Sequence, residues 1–143
     1  MNDATKLAIA KAICVSAHKG QVDKAGVDYC LHPLHVSEKV NGTDEKVCAM
    51  LHDVLEDTPF PRETLLDIFG DKIVHSLDCL NHADGEAYED YIKRVATDGV
   101  AIKVKLADID HNSDLSRIEH PTEKDIKRLD RYRKAKDYLL AFV

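Results

Sequence analysis

Apolar side chains along this chain return mostly at helical intervals rather than in alternation. Over Asp3 to Ala17 the residues Leu7, Ala10, Ile13, Cys14 and Ala17 share one face, and the turn-rich stretch from His18 to Tyr29 follows. Pro33 suits the first turn of a short helix that has His32 at its N-terminal edge, runs through Val40 and is closed by Asn41-Gly42. Thr43, ahead of Asp44 and Glu45, opens a third helix expected to run from Asp44 to about Asp57. It carries Val47, Cys48, Met50, Leu51, Val54 and Leu55, is expected in the core, and is limited by Pro59. Further helices are predicted over Pro61–Phe69, Asp71–Leu80, Glu86–Ala96 and Val100 to about Leu115, with a loop from Asn81 to Gly85 and a break at Asp98-Gly99. Thr122 with Asp125 resembles a capping box, and the last helix runs from there through Leu140. The pattern predicts an all-α, compact, single-domain fold without internal repeats or linkers.

Composition narrows the picture. The chain has 143 residues, 44% of them hydrophobic and 32% charged, which suits one globular domain and excludes a disordered chain. No window approaches the roughly 18 consecutive apolar residues of a membrane span. The opening residues carry an acid and no basic run before an apolar stretch, so a signal peptide is not expected and a cytoplasmic location is. The net charge of -6, with no Lys/Arg block, excludes a broad duplex-binding surface and still allows a small anionic ligand. Cys14, Cys30, Cys48 and Cys79 have no C-x-x-C spacing and lie in apolar helical contexts, so they are assigned to packing.

One stretch asks for chemistry. His52-Asp-Val-Leu-Glu-Asp57 places four titratable groups directly after an apolar run, at an expected helix C-terminus. In a continuing helix Glu56 and Asp57 fall on the same side as His52 and Asp53. Acids in a last turn oppose the helix dipole, at a few tenths to about 1 kcal/mol each, and a bound cation reverses that sign. Taken alone, the segment fits equally well a solvated acidic helix end that turns the chain toward Pro59. Further donors shift the balance: His32 upstream and Asp108 downstream complete a His/His/Asp/Asp set, mixed N/O donors that suit Mn, Fe or Zn. Asp108 follows the largely apolar Val104-Lys-Leu-Ala107, where an unpaired carboxylate is costly to bury.

These residues carry a resemblance to the HD-domain superfamily, and within it to the hydrolase domain of RelA/SpoT-type proteins and the small stand-alone alarmone hydrolases. It rests on Ala17 to Gly26, Tyr29-Cys-Leu-His-Pro33, His52 to Thr58, and Val104 to Asp108 with His111-Asn112, in that order and over nearly the whole chain. The resemblance implies that His32, His52, Asp53 and Asp108 hold one divalent ion, Mn²⁺ in most of the family. It assigns the attacking water to Glu56 and Asp57, and nucleotide contacts to Lys24, Tyr29, Asn112, Arg128 and Tyr132. Two positions depart from the pattern: Asp23 stands where many alarmone hydrolases have an Arg that packs on guanine, and Asp28 replaces a Pro. An acid at 23 removes the cation–π contact. No nucleotide-synthesis domain or regulatory tail is expected.

The activity implied is hydrolysis of the 3′-pyrophosphate of a guanosine 3′,5′-bis(diphosphate)-like nucleotide. The alternatives are an HD phosphohydrolase acting on another nucleotide or phosphoester, and a non-catalytic nucleotide-sensing module. Outside this set, His18, His75, His82 and His120 are read as packing or surface residues, and His111 as a neighbour of the metal donors. Tyr88 and Tyr91 are read as core, and Lys103 and Lys105 as facing solvent.

Overall fold

The computed structural model describes residues 1–114 and 119–143. The first helix, α1 (Asp3–Ala17), begins where expected because the Asn2 side chain accepts the Thr5 amide at 2.8 Å. The segment after it turns on itself: Asp23 Oδ1 accepts the Ala25 and Val27 amides at 2.8 and 3.0 Å, and an isolated antiparallel bridge joins Val22 to Asp28. Helix α2 (Leu31–Glu38) has Pro33 in its first turn, where a missing amide is harmless, and stops two residues short of the expected Val40.

The expected third helix is not continuous. It is divided into α3 (Thr43–Leu51) and a single turn, α4 (Val54–Asp57), with His52 and Asp53 between them. The reason is local: the Ala49 carbonyl, which a regular helix offers to the Asp53 amide, accepts from His52 Nδ1 at 2.5 Å. Asp53 has drifted to φ -100°, ψ -3°, and the chain resumes a helical bond from the Asp57 amide to the Asp53 carbonyl at 2.9 Å. The break re-aims His52 and Asp53 without losing the helical convergence of Glu56 and Asp57.

Helices α5 (Arg62–Phe69) and α6 (Asp71–Leu80) meet at Gly70, whose φ of +89° lets the chain reverse within one residue. The next helix, α7 (Tyr88–Val95), starts two residues later than expected, since the Glu86 carboxylate is already engaged by the Ala83 amide and Arg94. Helix α8 (Gly99–Asn112) is capped by Asp98, which accepts the Ala101 amide at 2.9 Å. The expected end at Leu115 lies outside the described residues. Thr122 and Asp125 form the predicted capping box of α9 (Glu123–Leu140). Among the described residues there is no strand, and no helix is long and apolar enough to cross a membrane.

One continuous core holds these helices together. Val47, Cys48, Ala49, Met50 and Leu51 are all buried, the all-round apolar character of a helix enclosed by others, and α3 packs against α1, α2, α6 and α8. Removing the fully buried Leu51 side chain is worth about 2–5 kcal/mol. Cys14, Cys48 and Cys79 are buried and all four cysteines are free, as expected of packing residues. The consequence for the site is positional: the end of α3, the start of α2 and the last turns of α8 come together beneath α9.

Candidate metal centre and its cleft

Four side chains converge at that junction. His32 Nε2 lies 2.7 Å from Asp108 Oδ1, and His52 Nε2 lies 3.1 Å from Asp53 Oδ2 and 3.3 Å from Asp108 Oδ1. Donor atoms of His32, His52 and Asp53 all fall within 4.8 Å of one another. Donors that share an ion at about 2.1 Å stand roughly 3 Å apart, as His32 and His52 stand to Asp108 and His52 to Asp53, while Asp108 lies outside the set whose atoms are all within 4.8 Å of one another.

The tautomer of His52 tests the fit. Its Nδ1 donates to the Ala49 carbonyl, so in the neutral ring Nε2 bears a lone pair; that atom is buried and has no hydrogen-bond partner. A lone pair aimed at two carboxylate oxygens is repulsive unless a cation stands between them. Burial pushes the His52 ring down, yet Asp53 and Asp108 outweigh it and hold the ring well above its ordinary value. Burial likewise raises Asp53, and His52 outweighs that, bringing the carboxyl to about 2. The pocket therefore demands positive charge at this point, and a divalent ion fits it.

Neighbouring groups fix the donors. His32 Nδ1 and His111 Nδ1 share a hydrogen bond at 2.6 Å, and the two rings stack, in agreement with the reading of His111. Tyr29 donates to Asp53 Oδ2 at 2.5 Å, and Asn112 Nδ2 donates to Asp108 Oδ1 at 3.1 Å. Lys105 corrects an expectation: it is buried, not solvent-facing, and its Nζ lies 2.9 Å from Asp108 Oδ2. Burial lowers its ammonium, and the Asp108 charge more than restores it. Lys103 is exposed as expected, 3.7 Å from Glu45.

Glu56 and Asp57 stand beside this set, each with an oxygen within 4.8 Å of one on Asp53. Both reach solvent along the cleft, yet partial burial is the largest cause of their raised proton affinity, with the Asp53 charge adding to it. Glu56 Oε1 is oriented by the His82 backbone amide at 2.7 Å. His82, read from the sequence as a packing or surface residue, is thus part of the cleft wall. The contact runs through its backbone, which leaves no side-chain signal to read.

Two adjoining depressions open over these groups. One, about 200 Å³, is lined by Asp53, Glu56, Asp57, His82, Lys105 and Asp108 among others. The second, about 350 Å³, contains Asp23, Lys24 and Arg128, and the two share Tyr29, Asn112 and Tyr132. The two depressions take in every site residue singled out from the sequence except His32 and His52, which are buried against Asp108. Lys24 and Arg128 nevertheless already have a partner that sequence reasoning missed: both bond Asp125 Oδ1, at 3.1 and 2.7 Å. A larger groove of about 900 Å³ runs past His35, Lys39, Glu45 and Lys103, and the carboxylates Asp53 and Asp108 do not line it.

No family model matches the chain. A GTP pyrophosphokinase of Myxococcus xanthus is 32% identical over 141 aligned positions, which take in 85% of this chain and 18% of that protein. The bifunctional (p)ppGpp synthase/hydrolase SpoT of Escherichia coli is 31% identical over 122 positions, 75% of this chain and 17% of SpoT. A solved structure described as a metazoan ortholog of SpoT that hydrolyzes ppGpp superposes with a TM-score of 0.79, at 22% identity, over 94% of this chain and 85% of that one. This chain carries a RelA/SpoT-type HD domain. The superposition establishes the shared helical fold. The chain spans 18% of the length of the first of these relatives and 17% of the second.

Proposed function

We propose that the chain, working as one hydrolase domain over residues 1–143, removes the 3′-pyrophosphate of a guanosine 3′,5′-bis(diphosphate)-like nucleotide with the help of one divalent ion, most suitably Mn²⁺. The observation that carries the reading is the buried, unpartnered Nε2 of His52 between Asp53 and Asp108, with two acids of raised proton affinity beside it. Relatives named guanosine-3′,5′-bis(diphosphate) 3′-pyrophosphohydrolase, such as that of Haemophilus influenzae at 30% identity over 70% of this chain, support the substrate class. The work is assigned to the cytoplasm, on a small nucleotide and not on duplex nucleic acid.

His32, His52, Asp53 and Asp108 would hold the ion. When bound, it supplies Lewis-acid polarisation of a phosphoryl oxygen and lowers the pKa of water. Glu56 and Asp57 orient the attacking water and accept its proton, a task suited to carboxylates whose proton affinity is raised toward neutrality. Water adds to the phosphorus bonded to the 3′ oxygen, the bond to that oxygen breaks, and the oxygen takes up a proton as pyrophosphate leaves. Tyr29 and Asn112, which already touch Asp53 and Asp108, line the passage to the wider depression, and Tyr132 and Lys24 with Arg128 face the nucleotide there.

A second reading, hydrolysis of another nucleotide or phosphoester, is favoured by one observation: Asp23 lines the wider depression, and its carboxylate is committed to the turn over Ala25 and Val27. A sensing module without catalysis has no use for the Glu56–Asp57 pair. A panel of nucleotides assayed for released phosphate and pyrophosphate decides between them. Pyrophosphate released chiefly from the guanosine bis(diphosphate) is the expected result, and preference for a simple 5′-monophosphate overturns the assignment.

A further inference from the structure

The narrow depression is lined by more than acids and metal donors. Tyr88 of α7, Lys105 of α8 and Arg131 of α9 also face it. Tyr88 was expected to be core; it is half-buried, and its hydroxyl oxygen is shielded from solvent with no hydrogen-bond partner. A buried hydroxyl without a partner is costly, so it marks a place where an outside acceptor belongs. Its neighbour Tyr91 shows the contrast: Tyr91 is buried and donates to the Leu80 carbonyl at 2.8 Å.

Both cations beside Tyr88 keep donors in hand. An ammonium has three donors, and Lys105 gives one to Asp108 Oδ2 while its Nζ sits 5.1 Å from the Tyr91 ring centroid. The Arg131 guanidinium lies over the Tyr88 ring, 4.5 Å from its centroid, an arrangement that leaves its N–H edge for an acceptor. Burial raises the Tyr88 hydroxyl, and the Lys105 charge opposes that only in part, so the group stays protonated and donates. Three groups that each keep a donor to offer, on elements far apart in sequence, suit a group with several anionic oxygens. A carboxylate or a neutral sugar needs fewer.

We infer that Tyr88, Lys105 and Arg131 form the receiving pocket for the diphosphate that is cleaved off, with the Tyr88 hydroxyl donating to one of its phosphoryl oxygens. This assignment rests on the hydrolase reading for the identity of the diphosphate. It also gives the cleft a polarity: the nucleoside end lies in the wider depression with Lys24 and Arg128, and the leaving diphosphate lies in the narrow one. Tyr88 is then a binding residue that selects substrates having a second phosphoryl group.

The test compares the full chain with Tyr88→Phe and Arg131→Gln, all loaded with Mn²⁺, in two measurements. Calorimetric titration with inorganic pyrophosphate reads the pocket directly, and hydrolysis of guanosine 3′,5′-bis(diphosphate) reads the reaction. Each variant is expected to bind pyrophosphate roughly tenfold more weakly, the usual loss when a hydrogen bond to a charged group goes. Tyr88→Phe keeps the ring that Arg131 covers, and Arg131 is exposed on α9, so the second variant carries the test should the first fold poorly. Pyrophosphate binding equal to wild type in both variants, or none in wild type, overturns the pocket whatever the hydrolysis shows. Weakened pyrophosphate binding in the variants of a wild type that does not hydrolyse the nucleotide leaves the pocket standing and overturns the proposed reaction.

Discussion

His32, His52, Asp53 and Asp108 on one side of the cleft, and Lys24, Arg128 and Asp125 on the other, are both networks of opposed charge, but they are held in different ways. The first set sits on α2, α8 and the break between α3 and α4; His32, His52 and Asp108 are buried, and Asp108 is flanked by Lys105 and two imidazoles. Little in it can move without breaking the packing of α3 against α2 and α8. The second set ties the loop after α1 to the first turn of α9 across 101 residues of sequence, and the Lys24 side chain is 55% exposed. A rigid side suits chemistry that depends on ångström placement. On the other side the exposed Lys24 can exchange its carboxylate partner for an incoming phosphate at a cost that solvent keeps small, while the buried Asp125 keeps Arg128.

The largest effect is expected on the rigid side. Asp53→Ala or Asp108→Ala should abolish the rise in melting temperature that Mn²⁺ gives the wild type, because a ligand bound only to the native state stabilises it by mass action. Asp108→Ala should in addition lower stability by about 3–5 kcal/mol without metal, since it strands the buried Lys105 ammonium. Equal stabilisation of wild type and both variants by Mn²⁺ refutes the donor assignment.

Next come the acids beside the donors. Glu56→Gln and Asp57→Asn, made separately, should keep the metal-dependent stabilisation while at least one loses about 10²–10⁴ in kcat. If both turn over the best substrate at the wild-type rate, the pair is a solvated helix end, as the sequence alone allowed.

The convergence of the His/Asp side of the cleft was legible in the sequence and the other side only in outline. His52, Asp53, Glu56 and Asp57 announced themselves because acids clustered at the end of an apolar helix have a visible electrostatic cost. The break at Leu51 was not legible, since it depends on the His52 ring taking the Ala49 carbonyl. Lys105 was misread as solvent-facing although a signal existed: it precedes Asp108 by one helical turn within an apolar stretch, the spacing of an ion pair. Asp125 was read only as a helix cap, because its other partner, Lys24, comes from the far end of the chain. Tyr88 and Tyr91 share a helix face, and only the tertiary structure distinguishes the satisfied hydroxyl from the unsatisfied one.

A smaller effect should separate the two sides by pH. The Thr122 backbone amide, then Lys24, hold the Asp125 carboxyl well below the usual carboxylate range. A depressed folded-state pKa contributes stability above the unfolded value, near 3.9, and that contribution is lost as the pH falls further. Asp125→Asn should therefore melt below the wild type at neutral pH, and the gap should close progressively below about pH 4. A gap that stays constant from neutral pH to pH 3 contradicts the role given to this carboxylate.

The smallest effect is expected at the exposed cation. Lys24→Gln should raise KM a few-fold with kcat nearly unchanged, as befits a solvated contact to phosphate.

One divalent ion, held by His32, His52, Asp53 and Asp108, is proposed to serve the release of pyrophosphate. The deciding experiment strips the full chain with chelator and follows pyrophosphate release from guanosine 3′,5′-bis(diphosphate) as Mn²⁺ is titrated back, with Asp53→Ala in parallel. Release that saturates at one ion per chain in the wild type and is absent in the variant is the predicted result. Release that survives chelation, or that Mn²⁺ restores equally in Asp53→Ala, contradicts it.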